Sequence, residues 1–317
     1  MRYRICWILL SLLLSVFPLP AQQFNDGKGP SVSDVNSFSL AGPFALNIKR
    51  QVEEVNLILS VTDRKGRFVE GLGPSDLTIL DDDKKQTALT FFQSQTNLPL
   101  HVALVLDVSA SVTDQFSMER TTIHDFLREA TRPTDSVELF AFNQHVQFVC
   151  PIQNNWKEVS HRVKKLKPDG ETALFDAVSV AAQWLAQDPQ PARRTVILVT
   201  DGEENSSKTT LKETIAQVLR DETTVYSVNV AEYPIDSEGK NGVQILKQLS
   251  DATGGAYLRA RQDGDVGHAF DRIQSELRSQ YAIAYKPSNL TGQLFHRLRV
   301  IASRNLRVRC RTGYYAW

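Results

Sequence analysis

Cysteine is scarce in this chain, with three in 317 residues, too few for a disulfide scaffold. Net charge is also missing: 36 Lys and Arg balance 36 Asp and Glu, which argues against a general polyanion binder with its basic excess or stripe. There is no Walker A sequence and no Gly-x-Gly-x-x-Gly after a strand, so the common nucleotide-binding loops are excluded. The elbow of a serine hydrolase is absent as well, because Val108-Ser109-Ala110 lacks both glycines. An aspartate-nucleophile phosphohydrolase at Asp107 would want a second acid two residues on, where Ser109 stands. The six histidines, His101, His124, His145, His161, His268 and His296, show no zinc-site spacing and read as scattered surface or core residues. No internal repeat of fixed period is visible. What remains is an ordinary globular composition, 42% hydrophobic and 23% charged, long enough for about two domains.

The first positive signal is N-terminal. Arg2 and Arg4 precede an apolar run from Ile5 to Phe17, followed by Pro18-Leu19-Pro20-Ala21 and two glutamines. A basic start, a short apolar core and a small residue near a turn make a secretory signal peptide over 1–21. The run is too short for a spanning helix, which needs ~20 residues, and no later segment is long enough. The expectation is an exported protein, periplasmic or secreted, with no transmembrane segment after cleavage and a net charge of about −2. Cys6 leaves with the signal. Cys150 and Cys310 then remain in apolar, strand-like stretches and are expected as two buried free thiols, although an oxidising compartment would permit a bridge.

Residues 22–43, rich in Gly, Ser, Asn, Asp and Pro, read as a linker. In 44–97 the period becomes two: Val55, Leu57, Leu59 and Val61 alternate with their neighbours as in a half-buried strand. Asp81-Asp82-Asp83 suggests calcium, but lysines follow at once, and a solvated hairpin tip is the expectation. From 98 to 285 apolar strands alternate with amphipathic helices. Val102–Leu106 is a continuous apolar run, as in a strand buried on both faces of a parallel sheet. Strands are expected at Val137–Phe142, Val146–Ile152, Thr195–Thr200 and Val225–Val230, and helices at 155–166, 173–187, 210–221, 242–253 and 265–279. Another helix is marked by Phe116, Ile123, Phe126, Leu127 and Ala130. This pattern predicts an α/β fold, a doubly wound, mostly parallel sheet flanked by helices. Period two returns in 286–317, where His296–Ala302 and Leu306–Tyr315 read as strands, with arginines on a solvated face. The two flanks are each too short to stand alone and are expected to pair into one small all-β unit.

Open α/β sheets place their sites beyond the carboxyl ends of the strands. There this chain has Asp107-Val108-Ser109-Ala110-Ser111, Thr172 in a Pro-Asp-Gly-Glu-Thr turn, and Asp201 in Thr-Asp-Gly-Glu-Glu. Two carboxylates and three hydroxyls are hard oxygen ligands suited to magnesium, with water completing the octahedron. Glu203 and Glu204 are expected on the exposed loop rim.

The order Asp-x-Ser-x-Ser, Thr, Asp-Gly, each in a strand-end loop, resembles the von Willebrand factor type A domain with its metal-ion-dependent adhesion site. The flanking Val-Thr-Asp-Arg-Lys-Gly at 61–66 and Arg-Thr-Gly-Tyr-Tyr at 311–315 resemble its secreted bacterial branch. The resemblance implies a Mg2+ site, with Mn2+ or Ca2+ as alternatives, at Asp107, Ser109, Ser111, Thr172 and Asp201. It also implies that a protein partner's carboxylate takes the open position on the cation. Three functions stay open: an exported, adhesion-type binding module, which is not an enzyme and does not bind nucleic acid; a cell-envelope scaffold or assembly factor with a purely structural metal; or, further off, a metal-assisted hydrolase.

Overall fold

The computed structural model describes residues 54–86, 88–94, 98–113, 134–151, 156–231, 237–260, 265–288, 295–303 and 305–316. The signal segment, the linker and the helix expected across Phe116 to Ala130 lie outside the described residues. Alternation works as read in β1 (Val55–Thr62), whose Val55, Leu57, Leu59 and Val61 are all buried. This strand pairs antiparallel with β11 (Tyr281–Tyr285) on one side and β13 (Arg307–Arg309) on the other, and β4 (Leu89–Ser94) closes the sheet beyond β11. A second antiparallel sheet runs in the order β14 (Gly313–Tyr315), β12 (Phe295–Ala302), β2 (Leu77–Asp81), β3 (Lys84–Gln86). Leu57, Leu59, Ile79, Ile283, Leu298, Val300 and Tyr314 from the two sheets form one core cluster. The N- and C-terminal flanks therefore build an all-β unit in which Ile79 faces Val300 and Val61 faces Val308.

Two details differ from the pattern read in the sequence. Tyr281–Tyr285, the last residues of the expected α/β stretch, lie between β1 and β4, in the small sheet. Leu306–Tyr315 is two strands that join opposite sheets, and the chain crosses between them through Cys310–Thr312. A uniform period of two cannot reveal such a crossing, because alternation persists while the partner changes.

The second region is a six-stranded sheet in the order β10 (Tyr257–Arg259), β9 (Thr223–Asn229), β8 (Arg193–Thr200), β5 (Leu100–Asp107), β6 (Ser136–Phe142), β7 (Val146–Pro151). All neighbours are parallel except β6 and β7. Every residue of β5 is buried, as expected for a central strand covered on both faces. One face packs Leu104 and Leu106 against α1 (Trp156–Lys165) and α5 (Asp265–Arg278). The other packs Ala103 and Val105 against α2 (Leu174–Ala186), α3 (Leu211–Arg220) and α4 (Ser237–Thr253). Thr210 and Glu213 form a reciprocal capping box at the start of α3. Gly254, at φ +85°, ends α4 in the left-handed conformation that a side chain disfavours.

The arginines of the last strands are more engaged than a solvated face requires. Arg297 and Arg299 reach Asp83, Arg311 reaches Glu222, and Arg309 pairs with the buried Glu276. Cys150 is buried and Cys310 half-buried, and both are free thiols. Burial raises the pKa of each, that of Cys310 to about 11.

Candidate metal centre

The site grows out of the middle of the six-stranded sheet. β5 and β8 are adjacent and parallel, with Leu106 opposite Val199. From β5 the sheet continues to β6 on one side, and from β8 to β9 on the other. Connections that diverge in this way open a crevice beyond the strand ends. Asp107 and Asp201 stand at its two lips.

Asp107 is 1% exposed, and each of its oxygens is held. Oδ1 accepts from the Ser109 amide at 2.9 Å and the Ser109 hydroxyl at 2.6 Å, while Oδ2 accepts from Thr200 Oγ1 at 2.5 Å. Thr200 Oγ1 accepts in turn from the Gly202 amide at 3.0 Å, which ties the two strand-end loops together. Burial pushes the Asp107 carboxyl up to about 7; the Ser109 and Thr200 hydrogen bonds oppose this, and the Asp201 charge adds to it. Ser109 Oγ and Ser111 Oγ lie 3.1 Å apart, so the motif's hydroxyls form a continuous chain from the carboxylate.

Asp201 is half-buried, and its Oδ1 accepts from the Glu203 amide at 2.9 Å. Its main-chain carbonyl accepts from Asn229 Nδ2 at 3.3 Å. Gly202 follows at φ +89°, where a Cβ would come within 3.0 Å of the Gly242 backbone. The Asp-Gly pair is thus a steric requirement of this turn.

Thr172 arrives on a third loop, which backbone bonds lace to the first: Asp169 N donates to Val108 O at 2.9 Å and Ala110 N to Gly170 O at 3.1 Å. The Thr172 amide donates to Asn205 Oδ1 at 2.8 Å, and its carbonyl accepts from the Asn205 and Ser206 amides. Its hydroxyl is different. Thr172 Oγ1 is buried and has no hydrogen-bond partner among the described residues.

The structure thus draws Asp107, Ser109 and Ser111 into one hydrogen-bonded chain. It sets Asp201 within electrostatic reach of Asp107 and brings Thr172 to the same sheet edge through backbone bonds. Oxygen donors with one buried, unsatisfied hydroxyl among them fit a hard divalent cation. Thr200 and Asn205, which hold Asp107 and Thr172 in place, lie outside the five-residue motif. Their signal is local: hydroxyl and amide side chains within the same Thr-Asp-Gly loop. Glu204 departs from the exposed rim expected of it. Ala173, at the cap position of α2, has no side chain that can cap, and Glu204 Oε2 and Ser207 Oγ accept the Phe175 amide instead, each at 3.0 Å.

Residues 102–204 match the family model of the von Willebrand factor type A domain. Among curated proteins, none matches the chain. A von Willebrand factor type A protein from Catenulispora acidiphila is similar in structure at TM-score 0.50 and 11% identity, over 86% of this chain and 76% of its own. BatB from Bacteroides thetaiotaomicron aligns at TM-score 0.46 and 18% identity, over 56% of this chain and 98% of its own. Proximal thread matrix protein 1 from the mussel byssus, with a zinc-occupied MIDAS motif, aligns at TM-score 0.46 and 13% identity, over 57% of this chain and 48% of its own.

Proposed function

From a chain that carries a von Willebrand factor type A domain, we propose an exported, non-enzymatic binding module. It takes a protein partner through a divalent cation held by Asp107, Ser109, Ser111, Thr172 and Asp201. The orphaned hydroxyl of Thr172 carries this reading. A buried polar group without a partner costs about 1–3 kcal/mol, and no contact among the described residues offsets it. A hard cation accepts the lone pair that the protein leaves free. Magnesium is the preferred ion, with manganese or calcium as alternatives.

The bound ion supplies a positive, oxygen-seeking position at the sheet edge. The chain's own residues set the terms of its use. Asp107, clamped by Ser109 and Thr200, is pre-positioned and cannot swing outward. The three hydroxyls add ligands without adding charge, so the two carboxylates no more than neutralise a doubly charged ion, and a coordination position stays available to a partner's carboxylate. The basic, apolar N-terminus supports export, and no described helix is long and apolar enough to cross a membrane.

Calorimetric titration of magnesium and manganese into wild type, Asp201→Ala and Thr172→Ala tests the site. Wild type should bind with a melting shift worth about 2.7 kcal/mol at a hundredfold excess over Kd, by mass action. Asp201→Ala should lose both heat and shift, and Thr172→Ala should keep a weakened version. Equal heats in all three would make these residues caps and turns only. EDTA then separates binding module from scaffold: loss of partner capture from the exported fraction with the fold intact supports the module, and unfolding without metal supports the scaffold.

A further inference from the structure

The β2–β3 hairpin was expected to be a solvated tip, and one part of it is not. Its two-residue turn, Asp82-Asp83, has positive φ at both positions, the type I′ geometry that suits a two-residue hairpin. Asp83 is exposed and meets Arg297 and Arg299. Asp81, however, points inward and is only 5% exposed. Its Oδ2 accepts from the hydroxyls of Tyr285 at 2.7 Å and Tyr314 at 3.0 Å. Its Oδ1 is buried and has no hydrogen-bond partner among the described residues. Nδ1 of His296, itself 1% exposed, lies 3.8 Å from it, beyond hydrogen-bonding range. That same nitrogen lies 2.8 Å from Asp82 Oδ2.

We infer that Asp81, Asp82 and His296 form a second divalent-cation site, of the zinc or manganese class, that staples the hairpin to β12. One donor atom from each residue lies within 4.8 Å of the others. Two ligands about 2.0–2.1 Å from a tetrahedral ion sit roughly 3.4 Å apart, and the observed 2.8 and 3.8 Å bracket that spacing. One imidazole and two carboxylates suit a borderline first-row ion better than magnesium. The supporting contacts also fit: the two tyrosine hydroxyls hold Asp81 Oδ2 and the Arg297 amide holds Asp82 Oδ1, which leaves Asp81 Oδ1 and Asp82 Oδ2 on the side of His296 Nδ1. The ring of His296 is stacked on Tyr314 at 5.0 Å, which fixes its plane. Asp82, 31% exposed at its side chain, leaves room for water at a fourth position. Nδ1 of His296 faces both carboxylates and is the coordinating nitrogen, while Nε2 is buried with no partner among the described residues. This site draws on none of the five residues at the β5–β8 edge.

The test uses the full chain with the first site disabled by Asp201→Ala, and cobalt(II) or zinc(II) as the probe. Asp201→Ala should bind one equivalent of either ion, with a visible cobalt absorption band and a zinc-dependent rise in melting temperature. Adding Asp82→Asn should weaken zinc binding at least tenfold while leaving the metal-free circular dichroism unchanged, because the Arg297 contact at Oδ1 survives. Adding His296→Gln should abolish the cobalt band. Failure of Asp201→Ala to bind zinc, or equal affinity with and without Asp82→Asn, would overturn the proposal. If His296→Gln does not fold, the Asp82→Asn comparison decides by itself. Magnesium binding by the wild type is scored separately, so the two sites can fail independently.

Discussion

The six-stranded sheet and the paired four-stranded sheets use similar short apolar strands under different rules. β5 is buried at all of its positions, whereas β12 alternates buried and exposed almost from end to end. The first is covered by helices that follow its strands closely in sequence. The second is assembled from chain segments hundreds of residues apart, as when Leu298 pairs with Asp81. The parallel sheet and its helices are therefore built within 100–278, while the β unit depends on segments from before and after that stretch meeting. The seam between them is polar and buried. Glu276 of α5, 1% exposed, accepts from Ser60 of β1 at 2.7 Å and from Tyr226 of β9 at 3.0 Å, and pairs with Arg309 of β13.

Removing 293–317 gives the largest effect that separates the regions. Leu57, Leu59 and Ile79 lose the strands that cover them, and amide protons of β1 and β2 should exchange freely while β5 and β8 stay protected. Unchanged protection in 54–86 would show that the flanks do not depend on each other. At the seam, Arg309→Met should cost about 3 kcal/mol in urea unfolding, because it leaves Glu276 buried without its cation. That figure is at the low end of the usual range, since the Arg309 side chain is 30% exposed. A loss below about 0.5 kcal/mol would mean that Ser60 and Tyr226 alone satisfy the carboxylate.

The metal-free α/β region should carry a pH signature set at Asp107. Asp107, raised to about 7 chiefly by burial, holds its proton in the folded state after the unfolded chain has released it. Stability in EDTA should therefore fall as pH rises from about 4 to about 7. Asp107→Asn should flatten that slope, and a slope unchanged by the substitution would place the raised pKa elsewhere. Thr172→Val removes the orphaned hydroxyl at nearly constant shape and should stabilise the metal-free protein by about 1 kcal/mol while weakening magnesium. The smallest effect is expected at the cap of α2, where Ser207→Ala should cost about 0.5 kcal/mol of melting stability, because Glu204 still accepts the Phe175 amide.

Most of the α/β region was legible because its strands and helices carry strong, local periodicity. Helices expected at 155–166, 173–187 and 210–221 are observed at 156–165, 174–186 and 211–220. The helix expected at 242–253 starts earlier, at Ser237. The short edge strand β10 was not read, since Tyr257–Arg259 is too brief to show a period. In the candidate metal centre, the motif named the residues that present oxygens but not those that hold them. Thr200 and Asn205 act through single hydrogen bonds, and such bonds leave no periodic trace.

The amino-acid sequence by itself determined the alternation of each strand, the strand-end loops with their Asp, Ser and Thr side chains, and the order in which they follow one another. These are local properties, written in spacings of two to four residues. Only the tertiary structure decided that Tyr281–Tyr285 would join β1 and that Leu306–Tyr315 would divide between two sheets. It alone turned Asp81 inward toward a histidine more than two hundred residues away. Each of these outcomes depends on which apolar face finds which partner, and burial is indifferent to sequence distance.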